Sequence, residues 1–142
     1  MQPMQDTSLK TEKIILQIVI VLACMVPFYG GLIGVTQGVN FPGVGGVDLD
    51  NHFRYLSGLL MGIGFAFLST VPNIELHSKR FGLLTFIVVS GGLGRLVGFY
   101  LKGLPSSSMK FALGMELMVT PLLCAWQLSI ARRISIAKAR SF

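Results

Sequence analysis

The sequence contains 142 residues, of which 52% are apolar and only 13% are charged, whereas soluble domains usually carry roughly 25% charged residues. This composition argues against an ordinary soluble protein, and the length leaves room for one domain over residues 1–142 without a separate catalytic domain. The net charge of +6 comes from bases that cluster just outside apolar segments. We therefore interpret it as a topology signal and expect no nucleic-acid partner.

Four apolar blocks occur along the chain, at residues 14–35, 53–71, 81–100 and 111–131. Each has about twenty residues, which is enough for a helix to cross the hydrocarbon core of a bilayer. The first block continues well past Cys24, so we interpret it as a span and not as a cleaved leader. The sequence thus predicts an all-α polytopic membrane protein, a four-transmembrane-helix antiparallel bundle.

The bases beside the predicted spans are distributed unequally between the two sides of the membrane. Arg54, Lys102 and Lys110 flank the spans on one side. The more numerous bases on the other side are Lys10, Lys13, Lys79, Arg80, Arg132, Arg133, Lys138 and Arg140. The positive-inside rule places the side with more bases in the cytoplasm, so both termini are predicted to be cytoplasmic.

The predicted first outer loop, residues 36–52, is rich in Gly and Pro and is long for a compact bundle, which is typical of an exposed functional loop. We expect Asn51 to be the N-cap of the second span. Asp48, Asp50 and His52 are metal-type ligands at alternate positions. With one His and no outer cysteine we favour helix capping, and we assign no metal site.

Three ionisable residues lie within the predicted spans, namely Arg54, Arg95 and Glu116. Arg95 and Glu116 each lie about 8 Å below the outer boundary, on consecutive antiparallel helices, which predicts an ion pair. The full predicted polar cluster is Asp48, Asp50, His52, Arg54, Arg95 and Glu116. Two interpretations stay open: the pair fixes helix register, or the cluster forms an outer pocket for an anionic or polar head group. We assign no catalytic residue, because no second carboxylate or nucleophile shares the depth of Glu116.

Small residues recur at four-residue spacing on the second and third predicted helices. This spacing forms a groove that another helix can approach closely, so we predict a role in helix packing. The residues concerned are Gly58, Gly62, Ser90, Gly91, Gly94 and Gly98. The alternative is that the glycines beside Arg95 leave room for a ligand.

Three motifs carry a resemblance to a known family: the run from Asp50 to Gly58, the Gly-Gly-Leu-Gly-Arg sequence that ends at Arg95, and the stretch from Glu116 to Pro121. Over about residues 14–130 the chain resembles the small bacterial four-helix membrane proteins called domain of unknown function 4345, which are distantly similar to DoxX-like proteins. The resemblance implies a four-helix bundle in a bacterial inner membrane with these polar motifs at its outer end. It brings no established activity.

Small size and the lack of a complete catalytic set favour a non-enzymatic accessory or scaffold subunit within a larger membrane complex. The alternative is a lipid- or small-molecule-binding bundle that acts in transport or as a redox partner through the outer polar cluster. The expected partners are the lipid bilayer and either another membrane protein or a second copy of the chain. The sequence does not identify a cofactor, whether pigment, quinone or haem.

Overall fold

The protein is described by a computed structural model that covers residues 2–39 and 46–139, with side chains from residue 7 onward. Helix α1 is Gln2–Gln37, α2 is Val47–Leu68 and α3 is Ser78–Lys102, with a short 3-10 turn at Ile74–Leu76 before α3. Helix α4 runs over Ser107–Ala139. The described residues contain no strand, which confirms the all-α class.

Three of the described helices are long and apolar enough to cross a membrane: Thr7–Gln37, Ser78–Lys102 and Ser107–Ala139. Each exposes large apolar side chains, such as Leu22 at 63%, Phe86 at 67% and Leu122 at 66% of their surface. Such surfaces are costly in water but suit contact with lipid chains. The length and composition of these helices therefore indicate a membrane protein. Helix α2 falls outside this set because its first two turns are polar, so the fourth span remains a prediction.

Helix α2 begins earlier than the sequence predicts. The chain is extended at Gly46, with φ −71° and ψ 178°, and is helical from Val47. The N-cap predicted at Asn51 is therefore wrong, as is a loop that continues to residue 52. Asp48 and Asp50 in the first turn favour this early start, since acidic groups interact well with the positive end of the helix dipole. The other loop residues, 40–45, lie outside the described part of the chain.

The described residues form two compact units, which we treat separately. The α1–α2 unit is Gln17–Val71 and contains most of α1 together with α2. Here α1 and α2 are antiparallel, because Phe28 contacts Phe65 edge to face at 4.5 Å while Gly34, later in α1, approaches Ser57, earlier in α2. A methyl group at Gly31 would lie 2.8 Å from the Ser57 carbonyl oxygen, so this close approach requires glycine.

The α3–α4 unit contains the described residues up to Leu16 and those from Pro72 onward. Helices α3 and α4 are antiparallel, since Ser78 at the start of α3 contacts Gln127, whereas Gly92 further along α3 lies against Leu117. The core of this unit consists of the buried side chains Leu16, Ile74, Phe81, Leu84, Leu123 and Ile130.

Candidate functional site

Glu116, the acidic member of the predicted ion pair, lies in a widened turn of α4. The α-helix Ser107–Gly114 passes into a π-helical turn at Met115–Val119 and then into the α-helix Thr120–Ala139. The Thr120 backbone N–H donates to the Met115 carbonyl five residues earlier, and the Thr120 hydroxyl donates to the same oxygen at 2.8 Å. Pro121 follows directly and has no N–H for the regular helical bond, which explains why the helix widens here.

Arg95 of α3 and Glu116 form a two-point ion pair within the α3–α4 unit. The Arg95 Nε donates to Glu116 Oε2 and Nη2 donates to Oε1, both at 3.0 Å. The Glu116 side chain is only 16% exposed and that of Arg95 is 35% exposed. Gly92 permits this geometry, because a Cβ there would lie 3.0 Å from the Glu116 Cβ. Paired hydrogen bonds of this kind fix both the spacing and the register of two helices.

One edge of the Arg95 guanidinium points away from the carboxylate. Its Nη1 donates to the Met109 sulfur at 2.9 Å. A thioether is a weak acceptor, so an oxygen atom of a ligand would readily replace the Met109 sulfur as the partner of Nη1. The site therefore combines a satisfied ion pair with one weakly bound cationic edge.

Asp50 and Arg54 form a second polar site, in the α1–α2 unit. The Arg54 Nε donates to Asp50 Oδ2 at 2.7 Å, and its Nη1 donates to the carbonyls of Val35 and Thr36 in the last turn of α1. Asp50 Oδ1 accepts the Val39 N–H at 2.8 Å. The hydrogen bond from Arg54, followed by the one from Val39, lowers the Asp50 pKa below its ordinary value. Arg54 and Asp50 thus cap the end of α1 and tie it to the start of α2.

The other two residues of the predicted cluster do not join this capping site. Asp48 and His52 are exposed, and His52 has only a tilted ring contact with Tyr55 at 6.3 Å. Because residues 48, 50 and 52 are helical, Asp50 points away from the face that Asp48 and His52 share. Among the described residues no three His, Cys, Asp or Glu side chains form a metal-binding group. A single pocket that combines both ion pairs remains a prediction.

The small residues predicted for packing are exposed. Within its own unit, an added Cβ at Gly58, Gly62, Gly91, Gly94 or Gly98 would meet no atom within 4 Å. The glycines that pack closely inside the units are different ones, Gly31, Gly34, Gly38, Gly64 and Gly92. Helices α2 and α3 therefore each present an open small-residue face.

A third polar cluster, at the far end of the α3–α4 unit from Arg95, was missed in the sequence. Glu12 accepts the Trp126 indole N–H at 2.9 Å and also pairs with Arg133. The indicative signal was Gln127, an amide within an apolar block. Its side chain is 1% exposed, and its Nε2 donates to the Ile74 carbonyl at 2.7 Å and to Ser78 Oγ at 2.9 Å.

In the same cluster Lys13 pairs with Glu75 at 2.8 Å. Burial acts to raise the Glu75 pKa, but the hydrogen bond from Lys13, the Glu75 backbone N–H and the charges of Lys13 and His77 together outweigh it and hold the pKa below its ordinary value. These contacts join the start of α1, the 3-10 turn and the second half of α4.

The comparison with known proteins agrees with the family resemblance of the three sequence motifs. Neither curated proteins nor solved structures gave a significant match. Residues 15–127 match the sequence profile of the family described as Domain of unknown function (DUF4345). This match covers most of the chain, including α2, α3 and the Asp50–Arg54 and Arg95–Glu116 ion pairs, and the chain therefore belongs to the DUF4345 family.

Proposed function

We propose that this protein is a non-enzymatic subunit of a bacterial inner-membrane assembly, and that it binds another transmembrane helix through the open small-residue faces of α2 and α3. In this proposal the chain is one membrane domain of four antiparallel spans with both termini in the cytoplasm. The excess of Lys and Arg beside the predicted inner ends supports that orientation. Reporter fusions at each terminus test it.

The observation that carries the proposal is the position of the open glycines. Ser90, Gly94 and Gly98 follow one another at four-residue spacing on α3, and all three are exposed. In lipid, helices associate mainly through close van der Waals contact, and small residues at this spacing allow two backbones to approach. Glycine in a helix costs about 1 kcal/mol relative to alanine. A face with several exposed glycines thus has a local cost that a docked helix offsets.

The test replaces Gly94 with leucine and compares it with Ala125→Leu, which adds bulk at an exposed position of α4. The assay is blue-native electrophoresis, with in-membrane cross-linking of the full chain in its own membrane. We expect Gly94→Leu to release the chain from its complex without loss of folded protein, because the site has open space. Ala125→Leu leaves the complex intact. An unchanged complex in Gly94→Leu contradicts the proposal.

The weakly held edge of Arg95 favours a second candidate function, in which the protein binds a small anionic or polar head group. Glu116 lies in a π-helical turn, a feature frequent at functional sites. A ligand oxygen would replace the Met109 sulfur at Nη1 while Glu116 keeps the other two nitrogen atoms. Mass spectrometry of molecules that copurify with wild-type protein and with Arg95→Met tests this. Equal recovery of every small molecule contradicts it.

A further inference from the structure

The end of the α3–α4 unit that contains Glu12 and Gln127 has an unequal distribution of charge. Its acidic side chains, among those the structure describes, are Glu12 and Glu75, and each is already paired with a base, Arg133 and Lys13 respectively. Four further bases at this end, which we call the basic rim, are exposed and have no hydrogen bond or ion pair to a described residue: Lys10, Lys79, Arg80 and Arg132.

Contacts within the unit bring the four bases to the same end. Ser78, which immediately precedes Lys79 and Arg80, contacts Gln127 of α4. Arg132 lies five residues after Gln127, or about 7.5 Å along the helix. Lys10 is on the α1 segment that Glu12 fastens to Trp126 and Arg133. The rim is thus assembled by α1, α3 and α4 together.

The surroundings of the rim match the boundary between lipid chains and water. Trp126, at the same end, has an apolar ring and an indole N–H bound to Glu12, the arrangement typical of an aromatic anchor at the membrane surface. Beyond it, toward the middle of the unit, Leu83 and Leu122 are 60% and 66% exposed. The bases therefore lie where phosphate groups of lipids would be.

We infer that the basic rim of Lys10, Lys79, Arg80 and Arg132 binds the headgroups of anionic phospholipids. Four cations without partners among the described residues are complementary to a negatively charged leaflet, and each base near such a surface contributes to binding. This inference rests on the proposed membrane insertion but not on the proposed protein partner. It adds a lipid preference to the function proposed above.

The experiment uses the full chain purified in mild detergent and incorporated into nanodiscs that contain both phosphatidylglycerol and phosphatidylcholine. Native mass spectrometry measures the ratio of the two lipids retained. The test variant is Lys79→Gln with Arg80→Gln. The matched control is Lys102→Gln with Lys110→Gln, which removes the same charge from exposed positions at the other end of the unit.

We expect the test variant to lower the preference for phosphatidylglycerol about thirty-fold, since each base contributes about a fivefold preference. The control should keep the wild-type ratio. Equal losses in both variants, or no loss in either, would overturn the inference. Displacement of phosphatidylglycerol from wild-type protein by excess inorganic phosphate at constant ionic strength would also overturn it, because the rim would then be a site for free phosphate.

Flotation with vesicles separates this inference from the proposed function. A chain that does not float with the vesicles contradicts membrane insertion and hence both proposals. A chain that floats without any lipid preference contradicts the lipid inference alone. The cross-linking assay of Gly94→Leu then still tests the protein partner independently.

Discussion

The Arg95–Glu116 pair predicts an unequal cost for the loss of either partner. Arg95→Met leaves a carboxylate that is only 16% exposed, whereas Glu116→Leu leaves a guanidinium that is 35% exposed. Removal of one partner from a buried pair costs about 3–5 kcal/mol, and partial exposure reduces that cost. We therefore expect losses in unfolding free energy of about 3 kcal/mol for Arg95→Met and about 2 kcal/mol for Glu116→Leu.

The double variant, Arg95→Met with Glu116→Leu, should lose no more than about 2 kcal/mol of unfolding free energy, because an apolar pair of similar size leaves no charge unpaired. The coupling energy between the two sites is then at least about 3 kcal/mol. The assay is reversible unfolding of the protein in detergent micelles with sodium dodecyl sulfate, followed by circular dichroism. Lys102→Met, at the exposed end of α3, is the control and should leave stability unchanged.

Additive losses in the double variant would refute the reasoning, since they would mean that the two groups do not stabilise each other. A larger loss for Glu116→Leu than for Arg95→Met would refute the assignment of the carboxylate as the more buried partner. If the double variant folds and cells that carry it behave like those with the wild-type protein, the pair acts only on helix register. If it folds but loses a copurifying ligand, the head-group function gains support.

Three further predictions concern contacts away from the Arg95–Glu116 pair. Gly38→Ala should lower stability by more than about 1 kcal/mol, because Gly38 has φ +64° and an added Cβ would collide with the Asp50 carboxylate. Thermal unfolding checks this, and Gly46→Ala, at an open site, is the control. Glu75→Gln should reduce stability at neutral pH by up to about 1 kcal/mol. Since the Glu75 pKa is lowered in the folded protein, that difference should shrink as the pH falls below about 4.3, the ordinary pKa of a glutamate, and disappear once the carboxylate is protonated in the folded protein as well, which a series of pH-dependent melts would show. Gln127→Leu should cost about 1–3 kcal/mol in the unfolding assay, because it removes two hydrogen bonds that the buried Gln127 amide donates, to the Ile74 carbonyl and to Ser78 Oγ.

Each of these three predictions has an outcome that contradicts it. Equal effects of alanine at positions 38 and 46 would mean that the backbone conformation at Gly38 is not required. A stability difference for Glu75→Gln that persists in acid would rule out its charge as the cause. Unchanged stability in Gln127→Leu would mean that the two hydrogen bonds of the Gln127 amide make no net contribution to stability.

The fold class followed from composition because a bilayer imposes a simple requirement on the sequence. A span needs about twenty apolar residues, and its backbone must form its own hydrogen bonds. The positions of Arg95 and Glu116 could also be predicted, since depth in a helix hairpin is a count of residues from the turn. The structure contains their ion pair at 3.0 Å.

Helix ends and packing faces were harder to predict because they depend on tertiary contacts. Asp50 looked like part of a loop, yet it accepts the Val39 N–H and pairs with Arg54, which stabilises α2 from Val47 onward. Similarly, the motif with Gly91, Gly92 and Gly94 does not reveal which glycine faces a neighbour in the chain. Of these three glycines, only Gly92 faces a neighbour within its unit. Its close approach to Leu117 depends on the widened turn before Pro121, which the motif does not show.

Several charged side chains already pair with one another inside their own unit. This pattern favours apolar and anionic partners for the protein over a polar substrate. Arg95 with Glu116, Asp50 with Arg54, and Lys13 with Glu75 each pair within one unit. A polar substrate would have to displace one of these bonds, apart from the weak contact with Met109. In contrast, the open glycine faces and the basic rim have no partner in their unit among the described residues. Close helix contact suits the faces and lipid phosphate suits the rim, so both proposals place the partner of the chain within the membrane.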